Sequence, residues 1–170
     1  MDNYMKLEVV AIGRNEGFAR SAVAAFALSL NPSLAELSDI KTAVSEAVTN
    51  CVVHAYKNKE GERKIVMECE TETTQNGGVL HIRITDFGVG IDDVAQAVKP
   101  FYTTLANEER SGMGFTIMET FMDGFSLESE KGKGTTVYMR KQINGQASAF
   151  FAQDERDKAY GGKAEINVGR

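Results

Sequence analysis

The sequence predicts a two-layer α/β (α+β) sandwich, a mixed, mostly antiparallel sheet covered on one face by three helices. Three observations point there. Periodic segments follow one another as strand, helix, helix, hairpin, long loop, helix, hairpin, and such elements bury their apolar faces by layering. Gln75-Asn-Gly-Gly78 separates two alternating runs, as a tight hairpin requires. Over residues 33–57, Leu37, Ile40, Val44, Ala47, Val48 and Cys51 recur at helical spacing as one apolar stripe.

In chain order, residues 5–12 are apolar and β-branched and read as a first strand. Asn15 is the expected N-cap of a helix to about Leu30, with Phe18, Ala22, Phe26 and Leu30 recurring every four residues. Asn31-Pro32 breaks it, and Pro32 suits the first turn of the next helix. The polar stretch 57–62, closing on Gly61, is a loop. Residues 64–72 alternate, with Ile65, Met67 and Cys69 on one side, and 79–85 do the same with Leu80, Ile82 and Ile84. From Phe87 to Phe115 regular period gives way to glycines, charges and Thr103-Thr104, a length that in a compact domain is usually functional or disordered. A third helix is expected over 114–123, then strands 125–130 and 135–141 around Lys131-Gly-Lys-Gly134. Residues 1–141 thus make one domain, and 142–170 a polar tail expected to be poorly ordered.

Composition narrows the function. Apolar residues make up 42%, enough for a core, and the net charge of −5 argues against direct nucleic-acid binding. No run approaches the roughly 18 apolar residues of a membrane span, and no signal peptide is recognisable. Cys51 and Cys69 lack metal-ligand spacing and read as buried thiols in a reducing compartment, so the expected location is the cytoplasm.

The chemistry lies in four short patterns. Glu46 and Asn50 stand one helical turn apart, on a face nearly opposite the apolar stripe. An Asn oxygen is a suitable hard ligand for Mg²⁺, and a neighbouring carboxylate can act as general base. Asp86-Phe-Gly88-Val-Gly90 ends a strand: the glycines permit close approach of a ligand, and the Asp can accept from an exocyclic amine such as adenine's. Gly112-Met-Gly114 precedes a helix, where backbone N–H groups and the helix dipole favour phosphate. Arg110 and Ser111 add a charge and a hydroxyl beside it. Gly134-Thr135-Thr136 opens the last strand, where a hydroxyl would support Asp86. Singly, a solvated polar pair, a plain turn and a glycine hinge answer to the same residues. Their order and placement are the specific signal.

In that order, Glu46-x-x-x-Asn50, Asp86-x-Gly88-x-Gly90, Gly112-x-Gly114 and Gly134-Thr135 resemble the successive boxes of the Bergerat ATP-binding fold. That superfamily includes gyrase, heat-shock chaperones, histidine kinases and mismatch-repair ATPases. Ser45-Glu-Ala-Val-Thr-Asn50, Pro100 with Thr103-Thr104, and the run Glu109–Glu119 further resemble the bacterial anti-sigma F factors, over about residues 5–141.

The resemblance implies a serine-protein kinase using ATP, with ADP as product, and Mg²⁺. Asn50 would ligate the metal, Glu46 would be the catalytic base and Asp86 would read adenine with Thr135 in support. Gly88, Gly90, Gly112 and Gly114 would shape the nucleotide site. Residues 92–111, with Thr103, Thr104 and Ser111, would form a lid over the phosphates, and Arg110 would contact the terminal phosphate or the protein substrate. Family members bind their sigma factor as a homodimer and phosphorylate a serine of an anti-anti-sigma protein. Arg20 is the implied sigma contact, with a solvated helix charge as the alternative. Three departures stand out: His54-Ala55-Tyr56 where the family often has His-Gly-Tyr, Leu105-Ala106 in place of Lys-Pro after the Thr pair, and a tail after 141 that extends beyond the family's usual end. Neither His54 nor His81 is assigned a role.

Fewer than ten residues precede the first strand, so no upstream hairpin with a phospho-accepting His is expected. The preferred reading is a sporulation anti-sigma F factor that holds its sigma factor and phosphorylates its antagonist. The alternatives are a non-catalytic module whose sigma sequestration depends on nucleotide, and the equivalent kinase of a general-stress sigma factor. Glu46 favours chemistry, since a binder needs no base.

Overall fold

A computed structural model describes residues 1–57, 59–99 and 113–145. Strand β1 (Asn3–Val10) leads into helix α1 (Arg14–Ala27), which tightens into a 3₁₀ turn at Leu28–Leu30. Helix α2 (Leu34–Asn50) follows and winds on as a π turn over Cys51–Ala55. Strands β2 (Lys64–Thr74) and β3 (Gly77–Asp86) form the expected hairpin. After a single turn, α3 (Val94–Ala97), come helix α4 (Gly114–Phe121) and the hairpin β4 (Gly124–Glu130) and β5 (Gly134–Asn144). Strand β5 therefore runs three residues past 141.

The sheet order is β1-β2-β3-β5-β4, and every pairing is antiparallel, where a mixed sheet was expected. Two helices between β1 and β2 make the chain turn back three times, so β2 returns antiparallel to β1. One helix between β3 and β4 leaves those strands running the same way, but β5 inserts between them and no parallel pair forms.

The core lies between the sheet and the long helices. Ile40, Val44, Ala47, Val48 and Cys51 of the predicted α2 stripe are buried, against Ile65, Met67, Cys69, Leu80, Ile82 and Ile84 of the hairpin. On α1 the buried residues are Ala19, Val23, Ala24 and Ala27, where Phe18, Ala22 and Phe26 were expected, while Leu30 is buried as expected; Phe18 is 54% exposed. Small side chains face α2 because two helices packed side by side need short ones to approach closely. Cutting Ile82 to Ala would cost about 2–5 kcal/mol at such a site.

Helix starts also differ from expectation. Asn15 lies inside α1, and its side chain donates to the Val10 carbonyl at 2.9 Å. Ser33, not Pro32, governs the start of α2. Its Oγ accepts from Glu36 N, and Glu36 Oε2 accepts from Ser33 N, a reciprocal capping box. Glu36 Oε1 also accepts from Asn144 N at 3.0 Å, fastening this end of α2 to the end of β5.

Candidate functional site

The last two turns of α2 bring the site together, one residue after another. Glu46 and Asn50 are half-buried and lie against the first residue of α4. A Cβ built on Gly114 would stand 3.1 Å from Glu46 Oε2, 3.2 Å from Asn50 Nδ2 and 3.4 Å from Asn50 Oδ1. The pair thus faces the seam with α4 rather than open solvent. Among the described residues no side chain caps the start of α4, and free N–H groups at a helix start suit an anion. The missing Gly114 side chain is a cradle that a methyl group would fill. A hydrated Mg²⁺ carrying phosphate oxygens, with Asn50 as its one protein oxygen, suits that cradle.

Past Asn50, Cys51 is buried beside Asp86, and burial together with the Asp86 charge pushes its thiol pKa well up. Asp86 is 4% exposed at the end of β3. Its Oδ1 accepts from Gly88 N at 2.9 Å and from Thr135 N at 3.3 Å. Burial raises its carboxyl pKa and the two amides pull it back. A buried carboxylate anchored through one oxygen suits an adenine amine at the other.

The loop after Asp86 is pressed between two pieces of backbone. Val89 N donates to Ala55 O at 2.7 Å, and a Cβ on Gly88 would fall 2.0 Å from that same oxygen. On the far side Gly132 N donates to Val89 O at 2.7 Å. Gly90, at φ +71°, lies against Glu130 O, and Gly134, at φ +114°, against Asp86 O. These glycines are required because backbone occupies the space a side chain would take.

Three residues that sequence reasoning passed over hold this loop. Tyr56 Oη accepts from Phe87 N at 3.0 Å and from Lys64 N at 3.2 Å, and donates to Lys64 O. Lys59 Nζ donates to Phe87 O at 2.5 Å and Gly88 O at 2.9 Å. Ser129 Oγ accepts from Ile91 N at 2.8 Å and meets Thr135 Oγ1 at 2.9 Å. The one sequence hint was Tyr56, an amphipathic side chain at a helix end. Nothing local marks the loop contacts of Lys59, whose partners are 28 and 29 residues away, or of Ser129, whose bond to Ile91 N spans 38 residues.

The expected support of Asp86 by the Thr135 hydroxyl is corrected: the backbone amide of Thr135 makes that bond, and its hydroxyl faces Ser129. Arg20 is exposed, bonded to Glu16 at 2.9 Å and to Ser45 Oγ at 3.4 Å. Arg20 thus lies beside the residue preceding Glu46, not at the Asp86 end. Thr103, Thr104, Arg110, Ser111 and Gly112, with Pro100 and Leu105-Ala106, lie outside the described residues.

An open antiparallel sheet under three helices, with Asp86, two glycine-lined loops and Asn50 at one end, defines a nucleotide-binding domain. The histidine kinase-like ATPase domain family matches residues 14–141. A protein of Clostridium botulinum (strain Eklund 17B / Type B), named anti-sigma F factor, is 54% identical over 145 residues, covering 84% of this chain and 96% of that one. Proteins of the same name from Clostridium kluyveri (strain NBRC 12016) and Clostridium perfringens (strain SM101 / Type A) are 51% and 49% identical. Those matches cover 84% and 85% of this chain and 96% and 99% of theirs. The chain belongs to the anti-sigma F factor family. Among the described residues no helix is long and apolar enough to cross a membrane.

Proposed function

We propose that this chain is a cytoplasmic anti-sigma factor that, as a homodimer, holds the sporulation sigma factor F and phosphorylates a serine of its anti-anti-sigma antagonist. The supporting observation is the placement of Glu46 and Asn50 at the uncapped start of α4. Adenine is read by Asp86, and the phosphates run toward α4 between the Gly88–Gly90 loop and Gly112-Met-Gly114. Asn50 would hold Mg²⁺, which would supply positive charge beside the phosphate oxygens. Thr103, Thr104 and Ser111 close over the phosphates, and Arg110 meets the charge that develops on the terminal one.

Glu46 takes the proton of the acceptor serine as its oxygen bonds to the terminal phosphorus. The bond from that phosphorus to the bridging oxygen breaks, and ADP leaves. Little covalent chemistry is asked of the protein; positioning and charge stabilisation suffice. Arg20, on the exposed side of α1, contacts the sigma factor.

The test is the intact mass of the anti-anti-sigma protein after incubation with this chain and Mg-ATP. A single phosphate adduct that disappears with Glu46→Ala supports the kinase. No adduct from wild-type protein that still binds nucleotide tightly points instead to a sequestering module.

A further inference from the structure

One peptide unit in the loop after β3 is held at both ends. The Gly88 amide donates to Asp86 Oδ1 at 2.9 Å, and the oxygen of that same unit, the Phe87 carbonyl, accepts from Lys59 Nζ. A peptide unit is planar, so fixing its oxygen fixes where its N–H points. We propose that Lys59 is a positioning residue for adenine recognition, holding Asp86 through this peptide with one oxygen engaged and the other turned to the exocyclic amine of the base. The proposal rests on the reading of Asp86 given above and names what makes that carboxylate selective.

The loop is gripped from one short stretch of chain. Ala55 O accepts from Val89 N at 2.7 Å, Tyr56 Oη accepts from Phe87 N at 3.0 Å, and Lys59 Nζ also donates to the Gly88 carbonyl at 2.9 Å. On the far side the Val89 carbonyl accepts from Gly132 N. Each N–H and carbonyl of Phe87, Gly88 and Val89 thus has a partner, and among these partners Lys59 carries the charge. Its backbone N–H donates to the Tyr56 carbonyl at 3.3 Å, so ammonium and phenol reach the loop from a single turn.

The charge acts along the peptide. An ammonium on a carbonyl oxygen polarises the unit and strengthens its N–H as a donor. The path from Lys59 through the Phe87 carbonyl and the Gly88 N–H ends on the carboxylate, where a stronger donor favours the ionised form. Burial raises the Asp86 carboxyl pKa, and the Gly88 and Thr135 amides, the Cys51 thiol and the Lys59 charge pull it back. Both amides bind Oδ1, and the amine falls to Oδ2. Adenine offers a donor where guanine offers a carbonyl, so a carboxylate held ionised and aimed separates the two. A neutral side chain at position 59 removes the donor of two carbonyls and the charge, while every atom of the Asp86 carboxylate stays.

The experiment is titration calorimetry of the full chain with ADP and with the diphosphate of purine riboside, which keeps ring, sugar and phosphates but lacks the amine. Wild-type protein is expected to prefer ADP by about tenfold or more, as a hydrogen bond to a charged group provides. Lys59→Met is expected to cut that preference at least about fivefold while affinity for the analogue stays within about twofold, which also shows the variant folded. In an Asp86→Asn background the same substitution is expected to change ADP affinity by less than about twofold, because the carboxylate it serves is gone. Wild-type protein that binds both ligands alike overturns the adenine-reading role of Asp86, and this inference with it. A wild-type preference that Lys59→Met leaves in place, whether both affinities fall together or neither does, overturns the role of Lys59 and leaves that of Asp86 standing. A full loss on Lys59→Met in the Asp86→Asn background shows Lys59 acting by another route and overturns the path through the Gly88 amide.

Discussion

Lys141 Nζ reaches Asp39 Oδ2 at 2.9 Å across a sequence separation of 102 residues, and donates as well to the Phe121 carbonyl at 2.7 Å. One ammonium thus ties the first half of α2, the end of α4 and strand β5 together. Removing Asp39 leaves a charge that is 8% exposed with one backbone acceptor. Asp39→Ala is therefore expected to cost about 2–3 kcal/mol, at the low side of a buried pair because Asp39 is itself partly wet. Lys141→Met removes the charge instead and is expected to cost less. Urea melts of both variants check the order; an equal or reversed order contradicts it.

Gly114→Ala separates folding from chemistry. The backbone there is not left-handed, and Ala in place of Gly favours a helix by up to about 1 kcal/mol. The added methyl meets Glu46 and Asn50, displacing both by a few tenths of an ångström. Tm is expected to hold or rise while phosphate transfer falls at least tenfold. A variant that keeps full transfer would remove Glu46 and Asn50 from the reaction.

Asp86→Asn tests the base-reading role. An amide keeps an oxygen for Gly88 N and Thr135 N but turns a donor toward the adenine amine. ADP affinity is expected to fall about 10–100-fold, the range for a hydrogen bond to a charged group. The same carboxyl gives a pH signature. Its pKa is raised in the folded chain by burial, so the native state takes up its proton first. Stability from this group therefore grows as pH falls through the raised value toward the ordinary 3.8, and is lost on the way up. ADP affinity moves the other way, weakening as the acceptor is protonated. Titration calorimetry from neutral pH to 4.5 reads this, and Asp86→Asn is expected to flatten that affinity change.

Gly88→Ala drives a methyl into the Ala55 carbonyl, backbone against backbone. It is expected to cost at least about 3 kcal/mol and abolish nucleotide binding, since overpacking that only backbone can relieve is severe. Gly13→Ala, with nothing within 4 Å of the new atom, is expected to stay within about 0.5 kcal/mol. Thermal melts of the two compare them directly.

Arg20→Ala loses an exposed pair to Glu16 and is expected to cost under about 1 kcal/mol of stability. Sigma-factor binding weakens while ADP affinity stays. Loss of both contradicts a contact confined to α1.

The sequence exposed this fold wherever a pattern is local. The α2 stripe, the Asn-Gly hairpin and the alternation of β2 and β3 each repeat within a few residues. Phe18 shows the limit: it keeps the period but lies one position off the buried face, because helix-to-helix spacing, not hydrophobicity, chose the alanines. The position of β5 was equally hidden, since no residue of β3 or β4 announces which neighbour will separate them. At the site, Asn50, Asp86 and the glycines were legible as types at fixed spacings. Lys59, Ser129 and the amide of Thr135 were not, because the groups they hold are contributed from elsewhere in the chain.

The insertion of β5 between β3 and β4 also sets when the site comes into being. Among the described strands β5 is the last to emerge from the ribosome, and it is also the neighbour both β3 and β4 require. Until Gly134–Asn144 is made, Asp86 lacks its Thr135 amide and β4 has no partner. A nascent chain stopped at Lys133 thus exposes two unpaired strand edges and cannot grip nucleotide. Late closure of this kind depends on contacts distant in sequence, which slow folding. Assembly of the nucleotide site therefore waits on the last of the described strands to be made.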